Sequence, residues 1–235
     1  MIYEGFLAVK AILENKERQI STLFVLENKF SKQINYCRAL AHQRNIPIQM
    51  INKVKLDQLA QGKTHGGILL QAQPTAVIDS FPNQLGYWAL VEGVEDPYNL
   101  GAIMRTLYCA GYDGLLTNQR DFEFADPIIV KASGGASEKI PWIQLSNTEE
   151  GLVLAKSLGH RIIVTHRQSE SKPYYDLSFK QPHVLCIGGE MRGLSKQVLD
   201  CADEWCVIPY GNQDARLSLN AVSALAILSF EKGRK

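Results

Sequence analysis

The chain has 235 residues, of which 46% are hydrophobic and 21% charged, with a formal net charge of +1. That composition can bury two cores, and no run approaches the roughly 20 apolar residues a bilayer crossing takes, which argues against a membrane protein. Met1 to Lys10 is mixed in character and lacks the apolar centre of a secretory leader, so the expectation is a soluble, cytoplasmic protein.

The five cysteines, Cys37, Cys109, Cys186, Cys201 and Cys206, are scattered and never form a C-x-x-C pair. Buried, reduced thiols are expected, with no metal site and no disulfide framework. Charge is unevenly spread: residues 1–73 carry ten Lys and Arg against five Asp and Glu, net +5, and residues 74–235 carry fifteen against nineteen, net −4. A basic front suits a polyanion held through its phosphates, although a solvated helix surface accounts for a charge of this size almost as well.

In chain order, Gly5 to Leu13 has helical spacing, Thr22 to Leu26 is an apolar β run, and Gln33 to Arg44 is helical with Ile34, Cys37, Leu40 and Ala41 on one face. Ile46 to Ile51 reads as a strand with Pro47 near its start, followed by a short helix near Leu56 to Ala60 and a strand from Gly67 to Ala72. The Thr64-His65-Gly66-Gly67 stretch before that strand is read as a turn using glycine for its backbone angles. These elements make a small α/β domain over residues 1–75. Residues 73–86, with two prolines, look like a linker, and the boundary is placed inside it: linker 76–86, then a second domain, 87–235.

The second domain restarts with a buried strand from Tyr87 to Val94 and a turn at Glu95 to Tyr98. A helix from Asn99 to Ala110 should follow, capped by Asn99 and stopped at Gly111. Gly114 to Thr117, Ile162 to Thr165, Val184 to Ile187 and Cys206 to Ile208 are short apolar runs suited to a parallel sheet covered on both faces. Helical stretches near Asp126 to Ser133, Glu149 to Leu158 and Leu194 to Cys201 alternate with them. In a last helix, Leu219, Val222, Ser223, Ala226, Ile227 and Phe230 form one apolar face that is expected to pack.

Three glycine-bearing or polar segments fall at strand ends, where bare backbone can approach a ligand closely. They are Asn99-Leu100-Gly101-Ala102-Ile103-Met104-Arg105-Thr106; Ile187-Gly188-Gly189-Glu190-Met191-Arg192-Gly193-Leu194-Ser195; and Ile208-Pro209-Tyr210-Gly211 with Leu217-Ser218-Leu219-Asn220. There is no G-x-G-x-x-G, so a dinucleotide fold lacks its fingerprint. For Ser218 and Asn220, plain helix capping is as good a reading as a ligand role.

Together, in this order, the segments resemble the SpoU family of RNA ribose 2′-O-methyltransferases in the SPOUT superfamily. Asp126 to Pro141, with Lys131-Ala132-Ser133-Gly134-Gly135-Ala136, also looks like that family's segment between its first two motifs. The front domain is similar to the ribosomal-protein-like RNA-binding domain that many members carry, with Gly66 where the family often has glutamine.

The resemblance implies an α/β knot, a trefoil-threaded parallel sheet, acting as a homodimer on RNA with S-adenosylmethionine as methyl donor and S-adenosylhomocysteine as product. It implies cofactor contacts from Gly188, Gly189, Ile208, Pro209, Leu217 and Leu219, and an active site of Arg105, Asn99, Glu190, Ser218 and Asn220. Arg105 is the catalytic position, reaching the ribose or its phosphate. Arg192 and Arg216 are surface charges or phosphate contacts. Ribosomal RNA is the favoured substrate and transfer RNA the alternative. A non-catalytic RNA-binding or ribosome-assembly protein is the reading from another class, and retention of the whole residue set argues against it.

Overall fold

The computed structural model describes residues 1–62, 64–189, 192–212 and 218–234. Two compact units divide the chain: Met1–Ala76 with Asp121–Lys139, and Val77–Arg120 with Ile140–Lys235.

The first unit opens with β1 (Ile2–Glu4), α1 (Phe6–Glu14), β2 (Ile20–Leu26), α2 (Lys32–Gln43), β3 (Ile48–Ile51), α3 (Lys53–Leu59) and β4 (Ile68–Ala72). Its sheet runs β1-β4-β2-β3, with only the β2–β3 pair parallel. Alternation decides the core: Leu23 and Val25 on β2 join Ile68 and Leu70 on β4 against Ile12, Ile34 and Cys37 from the helices. Gly66 and Gly67, at φ +64° and +85°, make the turn before β4, as expected. His65 sits behind that turn. Its Nδ1 accepts the Gly67 N–H at 3.1 Å, so the Nε2–H donates to Asp57 at 2.9 Å and the ring is held as one neutral tautomer.

In the second unit, β5 (Tyr87–Glu92) leads into α4 (Pro97–Ala110) and β6 (Gly114–Asn118). The next helix, α5 (Asp126–Ala132), lies in the segment that belongs to the first unit. There a buried network of Tyr3, Arg18, Asp126 and Glu138 fixes the segment, with Arg18 Nη2 3.0 Å from Asp126 Oδ2 and Nε 3.6 Å from Glu138 Oε2. Burial works against the Arg18 charge, but the two carboxylates outweigh it and hold its pKa above the ordinary value. A Cβ on Gly135 would meet the Ala11 methyl, so the segment's glycine turn lets it close on α1.

The chain then returns to the second unit with β7 (Trp142–Leu145), α6 (Thr148–Ser157), β8 (Arg161–Thr165), β9 (Lys172–Pro173), β10 (His183–Gly188), α7 (Lys196–Asp200), β11 (Glu204–Val207) and α8 (Ala221–Ser229). All seven strands are parallel, in the order β7-β6-β5-β10-β8-β11-β9. Val91, Leu116, Ile163 and Leu185 are almost wholly buried, as a sheet covered on both faces requires. Phe81, from the two-proline stretch, packs at 5.2 Å on Trp88, and Ile78 bridges Ile143 of β7.

Several expectations are corrected. α4 starts two residues early: Asp96, not Asn99, is its N-cap, accepting the Tyr98 N–H at 2.9 Å, because Pro97 is preset for the first helical position. Asn99 therefore lies inside the first turn, while Gly111, at φ +73°, ends the helix as foreseen. Cys109 is exposed, unlike the other four cysteines. α8 buries Ala221, Leu225 and Leu228 instead of the foreseen face, whose ends, Leu219 and Phe230, are 38% and 54% exposed. A helix apolar on nearly every side gives periodicity no face to choose. β1, β7 and β9 add strands not foreseen, and β11 ends one residue short of Ile208.

Candidate active site

In a parallel sheet every strand delivers its following loop to the same edge, so the chain leaving β5, β10 and β11 emerges at one carboxyl edge, while Arg105 lies further along α4. β5 and β10 are neighbours, with Gly188 opposite Glu92. The Gly189 N–H donates to the Glu92 carbonyl at 2.6 Å, and the Gly193 N–H returns to the Gly189 carbonyl at 3.0 Å. These two bonds fix Gly189 and Gly193 against each other and against the end of β5. A Cβ on Gly188 would fall within 2.5 Å of the Leu194 nitrogen, and one on Gly189 within 2.5 Å of the Gly93 carbonyl oxygen. Bare backbone was expected here so that a ligand could approach. The space above both glycines is taken by the chain's own loops, so Gly188 and Gly189 are required first for packing.

Glu190 and Leu217, with Arg216, lie outside the described residues. Arg192, next to Gly193, is exposed.

At the end of β11, Ile208, Pro209 and Tyr210 form one wall of an open cleft of about 530 Å³ that Arg167 and Ser169 complete. The Arg167 guanidinium lies 4.1 Å from the centre of the Tyr210 ring. The Tyr210 hydroxyl accepts the Leu219 N–H at 2.9 Å, which joins the two halves of the third segment. Among the described residues, the amides of Ile208, Tyr210 and Gly211 have no backbone partner. β10 and β11 are separated only by β8, so the two glycine-bearing ends stand about 10 Å apart, two strand spacings.

Asn220 is the N-cap of α8, its Oδ1 accepting the Ser223 N–H at 2.8 Å. The carboxamide oxygen is therefore committed, and the NH2 is the part left to bind anything else. Ser218 is exposed just before it. On α4, Asn99 is half-buried and Arg105 exposed, about 9 Å apart along the helix axis. The Arg105 guanidinium makes no hydrogen bond or ion pair among the described residues, while Leu100, Ile103, Met104 and Leu107 hold the opposite face in the core.

Sequence reasoning missed a row of polar side chains along this edge. The Glu92 carboxylate accepts the Ser195 N–H at 2.6 Å, and the Asn118 amide reaches Glu92 Oε1 at 3.5 Å and Thr148 Oγ1 at 2.9 Å. The row ties the ends of β5 and β6 to the starts of α7 and α6. Its one visible signal was a carboxylate closing an otherwise apolar strand, Tyr87-Trp88-Ala89-Leu90-Val91-Glu92.

The thiols near the sheet are inert. Burial pushes Cys206 up to about 12 and Cys186 well above the ordinary thiol value, so both stay protonated at neutral pH. Among the described residues no three His, Cys, Asp or Glu side chains converge as metal ligands, and no helix is long and apolar enough to cross a membrane.

Comparison with known proteins agrees with this architecture. Residues 88–230 match the SpoU rRNA methylase family, and residues 2–76 match the RNA 2′-O ribose methyltransferase substrate-binding family. The TrmH-family protein YacO of Bacillus subtilis is 29% identical over 96% of this chain and 93% of its own length. The 23S rRNA (guanosine-2′-O-)-methyltransferase RlmB of Shewanella oneidensis is 25% identical over 98% and 96%. Among solved structures, an AdoMet-bound rRNA methyltransferase from Sinorhizobium meliloti superposes with a TM-score of 0.79 at 24% identity, over 98% of this chain and 85% of that one, and shows the same fold. With both halves matched and its parallel sheet in that fold, the chain belongs to the SpoU family of RNA 2′-O-ribose methyltransferases.

Proposed function

We propose that the protein methylates a ribose 2′-hydroxyl of ribosomal RNA with S-adenosylmethionine as donor. The observation that carries this reading is the convergence at one sheet edge of the chain after β10, the cleft after β11 and the cap of α8. The residues fit the cofactor: Ile208 and Tyr210, whose amides have no backbone partner among the described residues, line a cleft, and about 10 Å separates the two strand ends, a span suited to a nucleoside with an amino-acid arm. Gly188, Gly189, Ile208, Pro209 and Leu219 would hold it, with Leu217 beside them. When bound, S-adenosylmethionine supplies an electrophilic methyl on a sulfonium.

The protein's own tasks are alignment and proton management. Arg105 is exposed and makes no hydrogen bond or ion pair among the described residues, and a guanidinium offers only donors. It acts by drawing in the ribose or its phosphate and by stabilising charge. Asn99 and Ser218 contribute neutral hydrogen bonds, and Asn220 contributes an N–H donor because its oxygen caps α8. Glu190 is the carboxylate assigned to orient Arg105 or the hydroxyl.

The same reading includes a trefoil course for the segment around residues 187–220 and a cytoplasmic homodimer. Support for the dimer comes from the half-exposed apolar side of α8, with Leu219 and Phe230 at its ends. Ribosomal RNA is preferred on the likeness to RlmB, while YacO, a protein named for both tRNA and rRNA, keeps transfer RNA as the second reading.

The test is transfer of labelled methyl from S-adenosylmethionine to RNA from cells lacking the protein, with the modified ribose mapped. Methyl in ribosomal RNA supports the proposal, and methyl in transfer RNA moves it to the second reading. No saturable S-adenosylmethionine binding by the folded protein would leave a non-catalytic RNA-binding role.

A further inference from the structure

We infer that one edge of the first unit grips an unpaired RNA nucleotide, with Phe30 as the stacking surface for its base. The inference rests on the RNA methyltransferase reading and names the part of the RNA that this module recognises. Three loops meet at this edge because β2 lies between β4 and β3 in the sheet. The Leu26 N–H donates to the Gly67 carbonyl at 3.0 Å on one side, and the Glu27 N–H to the Ile51 carbonyl at 2.9 Å on the other. The loop after β2 is therefore clamped between the start of β4 and the junction of β3 with α3.

That clamped loop presents Phe30 to solvent at 72% exposure, among the largest values for an apolar side chain in the chain. Its form is fixed: Asn28 takes φ 58°, and Ser31 caps α2 by accepting the Ile34 N–H at 3.1 Å. The ring is held out by a rigid turn. Exposure alone would not mark it, but a ring held out at an edge carrying exposed Val54 and a group of lysines offers a contact surface.

The charge around it selects the partner. Lys29 and Lys32 flank the ring in sequence, and Lys53 and Lys55 stand at the start of α3 beside Val54, itself 67% exposed. The Lys29 side chain lies across Gly67, where any Cβ would collide with it. Of the acids at this edge, Asp57 is occupied by His65 at 2.9 Å and Glu27 is exposed. Four lysines at this edge, on the loop after β2 and the starts of α2 and α3, suit phosphates flanking a splayed base. A continuous duplex offers no free base face, so the ring selects an unpaired nucleotide.

The experiment uses the full chain and two RNAs of equal length, a hairpin with 2-aminopurine in an unpaired loop and a blunt duplex of matched composition. Tighter hairpin binding with quenching of the loop fluorophore is expected. Phe30→Ala should weaken hairpin binding roughly 5- to 150-fold, the range of one base–aromatic stack, and abolish the quenching. Phe30→Trp should keep both, and S-adenosylmethionine affinity should be unchanged in each variant. Lys53→Gln should flatten the salt dependence by about 0.7 in slope. Wild-type affinity and quenching in Phe30→Ala would overturn the inference alone, leaving a protein contact as the use of the exposed ring. Wild-type protein that binds neither RNA would overturn the RNA reading as well.

Discussion

The Glu92 carboxylate accepts the Ser195 backbone N–H at 2.6 Å, tying the end of β5 to the cap of α7. The Glu92 carbonyl also accepts the Gly189 N–H at 2.6 Å, so this one residue holds both Gly189 and Ser195. Removing the carboxylate leaves the half-buried Ser195 N–H unpaired. Glu92→Ala should lower the unfolding free energy by about 1.5–3 kcal/mol, the cost of a hydrogen bond to a charged group, with a matching loss of S-adenosylmethionine affinity. Glu92→Gln keeps an acceptor oxygen and should recover most of both. Urea unfolding and calorimetry on the two variants check this.

The glycines at and after the end of β10 should not be equivalent. At Gly188 a methyl group meets the backbone of Gly193 and Leu194, and at Gly189 the carbonyl of Gly93, and none of these can rotate away. Gly193 takes φ +64° with open space around its Cβ position, so alanine there suffers only left-handed strain. Gly193→Ala should cost roughly 1–2 kcal/mol. Gly188→Ala and Gly189→Ala should cost about 3 kcal/mol or more and displace the loop, losing cofactor binding along with stability. Thermal unfolding with and without S-adenosylmethionine separates the cases.

This contrast shows what the sequence could and could not disclose. Apolar runs such as Val184 to Ile187 and a helix stop at Gly111 are local signals, and they placed the central strands β5, β6, β8 and β10 and the end of α4, while the short edge strands β7 and β9 carried no such run. Motif spacing singled out the Gly188-Gly189 pair, but the reason for the pair lies in the backbone of Gly193 and of Gly93, the latter on a loop nearly 100 residues earlier that only folding brings close. Glu92 and Asn118 were missed for the same cause: a single polar residue at the end of an apolar strand has no pattern until its partner strand is known. The burial of α8 was misjudged because its composition is apolar on most sides. Asp96 was passed over as a cap in favour of Asn99, although the Pro that follows it was the decisive local signal.

His183 makes stability depend on acid. Its Nδ1–H donates to the Gln181 carbonyl at 2.8 Å, so Nε2 is the acceptor of the Tyr112 hydroxyl at 2.8 Å and the ring is neutral. Burial lowers its pKa to about 4 from an ordinary value of 6.5. The unfolded chain binds a proton there more readily than the folded one, so stability is full above pH 6.5 and falls as the pH drops from 6.5 to about 4. A loss of about 3 kcal/mol is expected over that window. His160, also lowered by burial, adds in the same direction. Urea unfolding at pH 7 and pH 4.5 measures the fall, and His183→Gln should flatten it.

The outward side of α8 predicts association. Phe230 is 54% exposed and Leu219 38%, while the inward residues Leu225 and Leu228 are fully buried. Phe230→Asp adds a charge to the outer side and leaves the core untouched. The purified variant should shift from dimer toward monomer in light scattering, with far-ultraviolet circular dichroism unchanged. A wild-type protein that is monomeric at micromolar concentration would remove the dimer from the proposed function.

Arg105 gives the sharpest separation of chemistry from architecture. Its guanidinium is exposed and makes no hydrogen bond or ion pair among the described residues, so truncation removes no partner among them. Arg105→Ala should therefore change stability by less than about 0.5 kcal/mol. If the side chain stabilises charge at the reacting ribose, the same variant should lose roughly 10²- to 10³-fold in methyl transfer, the effect of deleting one preorganised donor. S-adenosylmethionine affinity should be retained, because the residues proposed to hold the cofactor sit at the ends of β10 and β11. Arg105→Lys keeps the charge but not the planar fork, and should recover only part of the rate. Single-turnover methylation with saturating RNA and cofactor reads the step directly. A variant as active as the wild type would return the central role to Glu190 and the α8 cap.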